Sequence, residues 1–217
     1  MRLAVKMALF AGVLAVAGCT TPPKIADRND YLAEGTRTYT GETRERVIRA
    51  AETLLKTADP GDFEFRHQAN GFTGYRSYFV YLVLAGERGQ DKWDFHTQEA
   101  TGGVEASVSV SKAGIAGGGG TMVAFNEAVQ WIPLYRLFWK RMDYMLGKRP
   151  DWVSCDQESA ALRASGVTGI DGLAALCGTT LQGKDVQPEP LPARGAGNAS
   201  ERNAVDRDAA RRRAVGR

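Results

Sequence analysis

Val104-Glu105-Ala106-Ser107-Val108-Ser109-Val110-Ser111 is the stretch that decides the fold. Its apolar residues recur at every second position, so an extended chain puts Val104, Ala106, Val108 and Val110 on one side and polar groups on the other. A helix would scatter the same residues around its circumference. The segment is a strand with one face for a core and one for water, the habit of antiparallel sheets.

The same period runs upstream. Trp93, Phe95 and Thr97 alternate with Lys92, Asp94 and His96, and Gly102-Gly103 turns the chain into 104–111. Phe63 and Phe65 alternate with Glu64 and Arg66, and Asn70-Gly71 supplies a hairpin turn. Between them, Tyr75 to Ala85 is a long run, aromatic or branched throughout Phe79 to Leu84, and is ended by Gly86 to Gly89. Here Val80, Leu82 and Leu84 share one face and Phe79, Tyr81 and Val83 the other. Such a strand is either central and covered twice, or it shows aromatics to a partner. Four strands and three tight turns predict an antiparallel meander.

Two longer segments change period. In 42–57, Val47, Ile48, Ala51, Leu54 and Leu55 recur at helical spacing, and Asp59-Pro60-Gly61 ends the run. In 133–146, Pro133 suits a first turn and Gly147 a stop. Leu134, Leu137, Phe138, Met142 and Met145 make a stripe broad enough for a buried helix. The expectation is an α+β, two-layer domain: the meander packed by these two helices, followed by a small helical pair at Asp156 to Ala164 and Asp171 to Cys177.

The first 19 residues carry the address. Arg2 and Lys6 precede an uncharged, mostly apolar run from Met7 to Val16, and Val16-Ala17-Gly18-Cys19 closes it. The apolar run is shorter than the roughly 20 residues a membrane-spanning helix needs. This arrangement resembles the signal peptide and lipobox of bacterial lipoproteins. The resemblance implies cleavage before Cys19, diacylglycerol and palmitate on that residue, and a membrane reached through the N-terminal lipid. Thr20 in place of Asp favours, by similarity to enterobacterial sorting, the inner leaflet of the outer membrane facing the periplasm. The resulting division is 1–18 signal, 19–41 tether with a strand near Thr38 to Thr40, 42–182 periplasmic domain and 183–217 disordered tail, the last rich in Pro, Arg and small residues.

An exported chain meets an oxidising compartment, so Cys155 and Cys177 predict a disulfide that clamps the helical pair. The net charge of +3 resides in the signal and the tail, leaving the middle slightly acidic, which argues against nucleic acid as a partner.

Catalytic patterns are weak. Gly117 to Gly120 lacks the Gly-Lys-Ser/Thr ending of a phosphate loop and reads as a flexible connector. His67 and His96 lie on separate strands without a third metal ligand. Scattered carboxylates define no acid–base pair. No cofactor and no metal are expected. The remaining signal is aromatic, with Tyr75, Tyr78, Tyr81 and Trp93 as a possible binding face. The sequence therefore predicts a non-enzymatic binding or assembly lipoprotein that engages another envelope protein or glycan. The alternatives are a lipid- or glycan-binding carrier, and an envelope hydrolase whose site converges only in the fold.

Overall fold

The computed structural model describes residues 28–82, 84–167, 170–178 and 185–193. At its centre is one antiparallel sheet of six strands: β1 (Thr36–Thr40), β2 (Phe63–Gln68), β3 (Gly71–Leu82), β4 (Ala85–Ala100), β5 (Gly103–Gly118) and β6 (Thr121–Ala128). β2 to β5 lie side by side in chain order. Along the far side of β5, β1 pairs with its first residues and β6 with its last. The α+β class holds, but the sheet has six strands where four were expected.

Two of the anticipated boundaries move. Gly86 to Gly89 do not end a strand; they lie inside β4, which pairs Ala85 with Leu82, so β3 ends three residues earlier than expected. Gly89 instead lets the end of the Tyr78 ring approach the sheet. Gly117 and Gly118 finish β5, and Gly119-Gly120, both at positive φ, form a two-residue hairpin into β6. That is the turn chemistry such hairpins demand.

The helices form where their caps and stripes allow. α1 (Arg28–Glu34) precedes β1. α2 (Arg44–Ala58) starts at Thr43, whose hydroxyl accepts from the Arg46 amide, and buries Val47, Ala50, Ala51, Leu54 and Leu55. α3 (Ile132–Met145) carries Pro133 in its first turn. α4 (Cys155–Ala164) is capped by Ser154 through a reciprocal box with Gln157. The expected 171–177 helix is a 3-10 turn at Ile170–Leu173 followed by α5 (Ala174–Cys177).

The core lies between one sheet face and α2 and α3. Trp93 packs on Phe138 at 5.6 Å, Phe95 on Phe138 at 6.1 Å, and Phe72 stacks on Phe95 at 5.3 Å. Along β4 the buried positions are Asp91, Trp93, Phe95 and Thr97; along β5 they are Val104, Ala106, Val108 and Val110. Then the alternation stops. β4 and β5 each have 16 residues, about 53 Å of strand, whereas α2 and α3 have 15 and 14, only about 22 Å of helix. The sheet outruns its cover.

The folded unit extends past both ends of 42–182. Residues 28–40, expected within the tether, form α1 and β1, with Tyr39 buried against Trp139 at 6.2 Å. Residues 185–193, expected in the tail, run as an irregular strap over the end of α3. The Asp185 carboxylate meets Arg141 at 2.9 Å, Gln187 donates to the Tyr144 hydroxyl, and the Leu191 amide donates to the Met145 carbonyl. The lipobox with Cys19, and residues 194–217, lie outside the described residues.

Candidate functional site

Beyond the last buried row, four strand ends project together: Ser77–Leu82 of β3, Ala85–Gln90 of β4, Ala113–Gly118 of β5 and Thr121–Asn126 of β6. None of their described side chains is buried. The register sets them in rows, such as Val80–Glu87–Ala116–Val123 and Tyr81–Gly86–Gly117–Met122. Neighbouring rows point to opposite faces. Toward the tip of this blade, beyond Glu87 and Arg88, both faces are apolar.

The exposures are large. Leu84 is 86 % exposed, Tyr81 71 %, Phe79 69 %, Val123 63 % and Met122 53 %. Phe79 and Tyr81 stack at 6.5 Å on the face turned away from the helices. Val80 and Val123 stand on the helix side of the sheet but past the helices. Scattered surface hydrophobes are ordinary, but a contiguous set at one end of a molecule marks an interaction site.

Glycines shape the blade's base. A Cβ on Gly89 would come within 2.8 Å of the Tyr78 hydroxyl and 2.7 Å of the Ala113 carbonyl. One on Gly114 would meet the Phe125 ring at 2.8 Å. The ends of the two rings reach over these glycines, and the Tyr78 hydroxyl donates to Glu87 at 2.6 Å. On the opposite face, Asp62, Ser77, Phe79, Arg88, Gln90 and Ile115 surround an open depression of about 890 Å³ floored by the same glycines. Its openness suits a broad surface better than an enclosed small molecule.

The four aromatics proposed as a binding face do not share one. Pairing of Gly74 with Trp93 and of Tyr78 with Gly89 puts Trp93 and Tyr78 on the helix side, while Tyr75 and Tyr81 point away. Trp93 is fully buried in the core. Tyr75 lies under the Arg66 guanidinium at 4.9 Å. Of the four, Tyr81 alone belongs to the exposed tip. Counting aromatics cannot separate core from surface; strand parity together with the reach of the helices can. Met122 and Val123 escaped notice because the glycine run before them reads as a linker, not a hairpin turn.

The other candidates resolve individually. The bond between Cys155 and Cys177 is present. Beside it Arg141, 1 % exposed, donates to the Val153 and Leu176 carbonyls and stacks over Trp152 at 4.4 Å. His67 pairs with Glu52 at 3.1 Å on the helix side, and His96, on the opposite face, pairs with Ser107 in the register. Among the described residues, no three His, Cys, Asp or Glu side chains assemble as a metal site. Asp59 and Asp91 both have carboxyls held above the ordinary range, mainly by burial, but Arg76 stands between them, 2.9 Å from Asp91 and 4.0 Å from Asp59. The Arg76 guanidinium also donates to the Ala174 carbonyl at 2.7 Å. This cluster seals the core at the base of the blade.

Comparison with protein-family models, characterised proteins and solved structures yields no match. Within the described residues no helix is long and apolar enough to cross a membrane.

Proposed function

We propose that this protein is a lipid-anchored protein of the bacterial cell envelope, cleaved before Cys19 and acylated there, and that it works as a non-enzymatic binding or assembly module. The blade is its docking surface. One observation carries this reading: Phe79, Tyr81, Leu84, Met122 and Val123 are all more than half exposed and sit together on one projecting end.

The magnitudes favour a broad contact. Burying one such side chain contributes about 1.5–3 kcal/mol, and association itself costs on the order of 4–15 kcal/mol. Most of the blade must engage at once for a stable contact. An apolar contact of this kind uses shape and area, for which the tip residues suffice without any titrating group.

The test is a photocrosslinking amino acid placed in living cells at Tyr81 or Leu84, with Ser109 on the polar face as control. An envelope component captured from the blade positions alone supports the reading. Equal capture from all three positions, or a native product whose intact mass shows no acyl group at Cys19, removes it.

A further inference from the structure

We infer that the component engaged by the blade is the lipid bilayer itself, the same one that holds the acylated Cys19, and that the two hairpin tips dip into it. This rests on the docking reading above and names its partner.

Charge placement sets a depth. Residues 79–86 and 113–126 carry no charged side chain, and the charges nearest the tip are Glu87 and Arg88 on β4. Beyond the row of Glu87 lie two more rows and the turns, about 10 Å of strand. That equals the depth of an interfacial insertion, about 5–10 Å, and falls far short of the roughly 30 Å needed to span. Arg88 is exposed and stands at the level of the headgroups when the tip is immersed. Tyr81 brings an amphipathic ring to the same boundary, the usual place for Tyr.

Chain length fits the same plane. α1 leads back from Gly35, whose carbonyl accepts from the Val108 amide, to Tyr31, whose ring meets Tyr135 beside Val110 and Val129. The N-terminal end of the described chain therefore rises toward the blade. From Val110 to the Gly118 turn is eight residues of β5, about 26 Å. Cys19 precedes Arg28 by nine residues, an extended reach of about 30 Å. Anchor and tips can occupy one membrane surface.

The other occupants fit less well. Residues 194–217 leave from the strap beside Arg46, near the start of α2, and offer only alanines and two valines against seven arginines. A second copy would gain the unpaired edges of β3 and β6 but would leave half of a two-faced blade in water. A fluid apolar phase covers both faces together.

The experiment is flotation of the mature full-length chain bearing Cys19→Ser, hence without acyl groups, on phosphatidylethanolamine–phosphatidylglycerol vesicles (3:1). Expected is co-flotation that drops at least tenfold in Leu84→Asp/Met122→Asp and is unchanged in Ser109→Asp, with both variants keeping the parental denaturation midpoint. No flotation of the parent, or equal flotation of the tip variant, overturns the lipid proposal. So does sedimentation showing that the tip variant converts a dimer to a monomer. Capture of a protein from Leu84 in cells, without vesicle binding, overturns the lipid partner and leaves the docking reading standing. Absence of both capture and flotation removes both.

Discussion

Arg76 and Asp91 meet at 2.9 Å across β3 and β4 in the last buried row of the sheet, where the strands leave the shelter of the helices. The same guanidinium bonds the carbonyl of Ala174 at the start of α5 and faces Asp59 at the end of α2. One side chain thus ties the disulfide-linked segment and a helix terminus to the root of the blade. Burial outweighs the attraction of Arg76 and Lys112 and holds the Asp91 carboxyl above its ordinary range.

Breaking this pair on one side should be costly. Arg76→Met strands the Asp91 charge in the interior and is expected to destabilise the protein by about 3–5 kcal/mol, read as a lower urea midpoint at pH 7. Arg76→Met/Asp91→Leu removes both charges and should recover most of that loss. A double variant no more stable than the single one would show that the pair is not the source of the cost.

The raised carboxyl also sets a direction with pH. Because Asp91 holds its proton more tightly folded than unfolded, its stabilising contribution is complete below the unfolded value of about 3.9. It is lost as pH rises through the higher folded value. Lowering pH from 7 toward 4 should therefore move the stability difference between wild type and Asp91→Asn in favour of the wild type. Denaturation midpoints at pH 7, 5.5 and 4 measure it; a difference that moves the other way means that Arg76 prevails over burial.

Trp93 and Tyr81 separate core from tip. Trp93 is enclosed against Phe138, so Trp93→Ala should cost about 3–5 kcal/mol. Tyr81 is 71 % exposed, and Tyr81→Ala should stay within about 0.5 kcal/mol of the parent while weakening whatever the blade docks on. Chemical denaturation of the two variants decides this. Similar losses would mean that the tip is part of the core.

The strand period at 104–110 and the stripe of 133–146 were legible because a buried face imposes them on the sequence directly. The expected pairing of Cys155 with Cys177 came from parity and export. The blade was hidden for a physical reason: where both faces are exposed and apolar, alternation vanishes, and Tyr75 to Ala85 looks the same as a strand buried twice. β1 was legible only near Thr38 to Thr40, because Thr36, Thr38 and Thr40 lie on the uncovered face and Tyr39 is its one fully buried side chain. Asp185 has no signal in its neighbourhood at all, because its partner lies 44 residues away on α3.

The disulfide closes a loop with a sequence separation of 22, for which loss of the cross-link is expected to cost about 3 kcal/mol through the gain in unfolded-state entropy. Cys155→Ala/Cys177→Ala should lower the guanidinium midpoint accordingly. It should also loosen α5, so the Arg76 contact to Ala174 weakens with it. An unchanged midpoint would indicate that Arg141 and the strap alone hold the segment.

Arg141 and Asp185 test whether the strap belongs to the folded unit. The Asp185 carboxylate accepts from both Arg141, at 2.9 Å, and the Cys155 amide, at 2.6 Å. Arg141 is buried, and burial pulls its guanidinium toward the neutral form against the pull of Asp185 and Glu158. Asp185→Ala removes the only carboxylate bonded to Arg141 among the described residues and should cost about 3 kcal/mol. Glu34→Gln, which breaks the partly exposed pair with Arg136, should cost less than about 1 kcal/mol. Thermal unfolding of both variants gives the comparison, and limited proteolysis reports whether 185–193 resists cleavage in the parent and yields in Asp185→Ala. If the two substitutions cost the same and cleavage within 185–193 is equally fast in both, the strap contributes nothing to the fold, and Arg141 must be held by the Val153 and Leu176 carbonyls and the Trp152 ring alone.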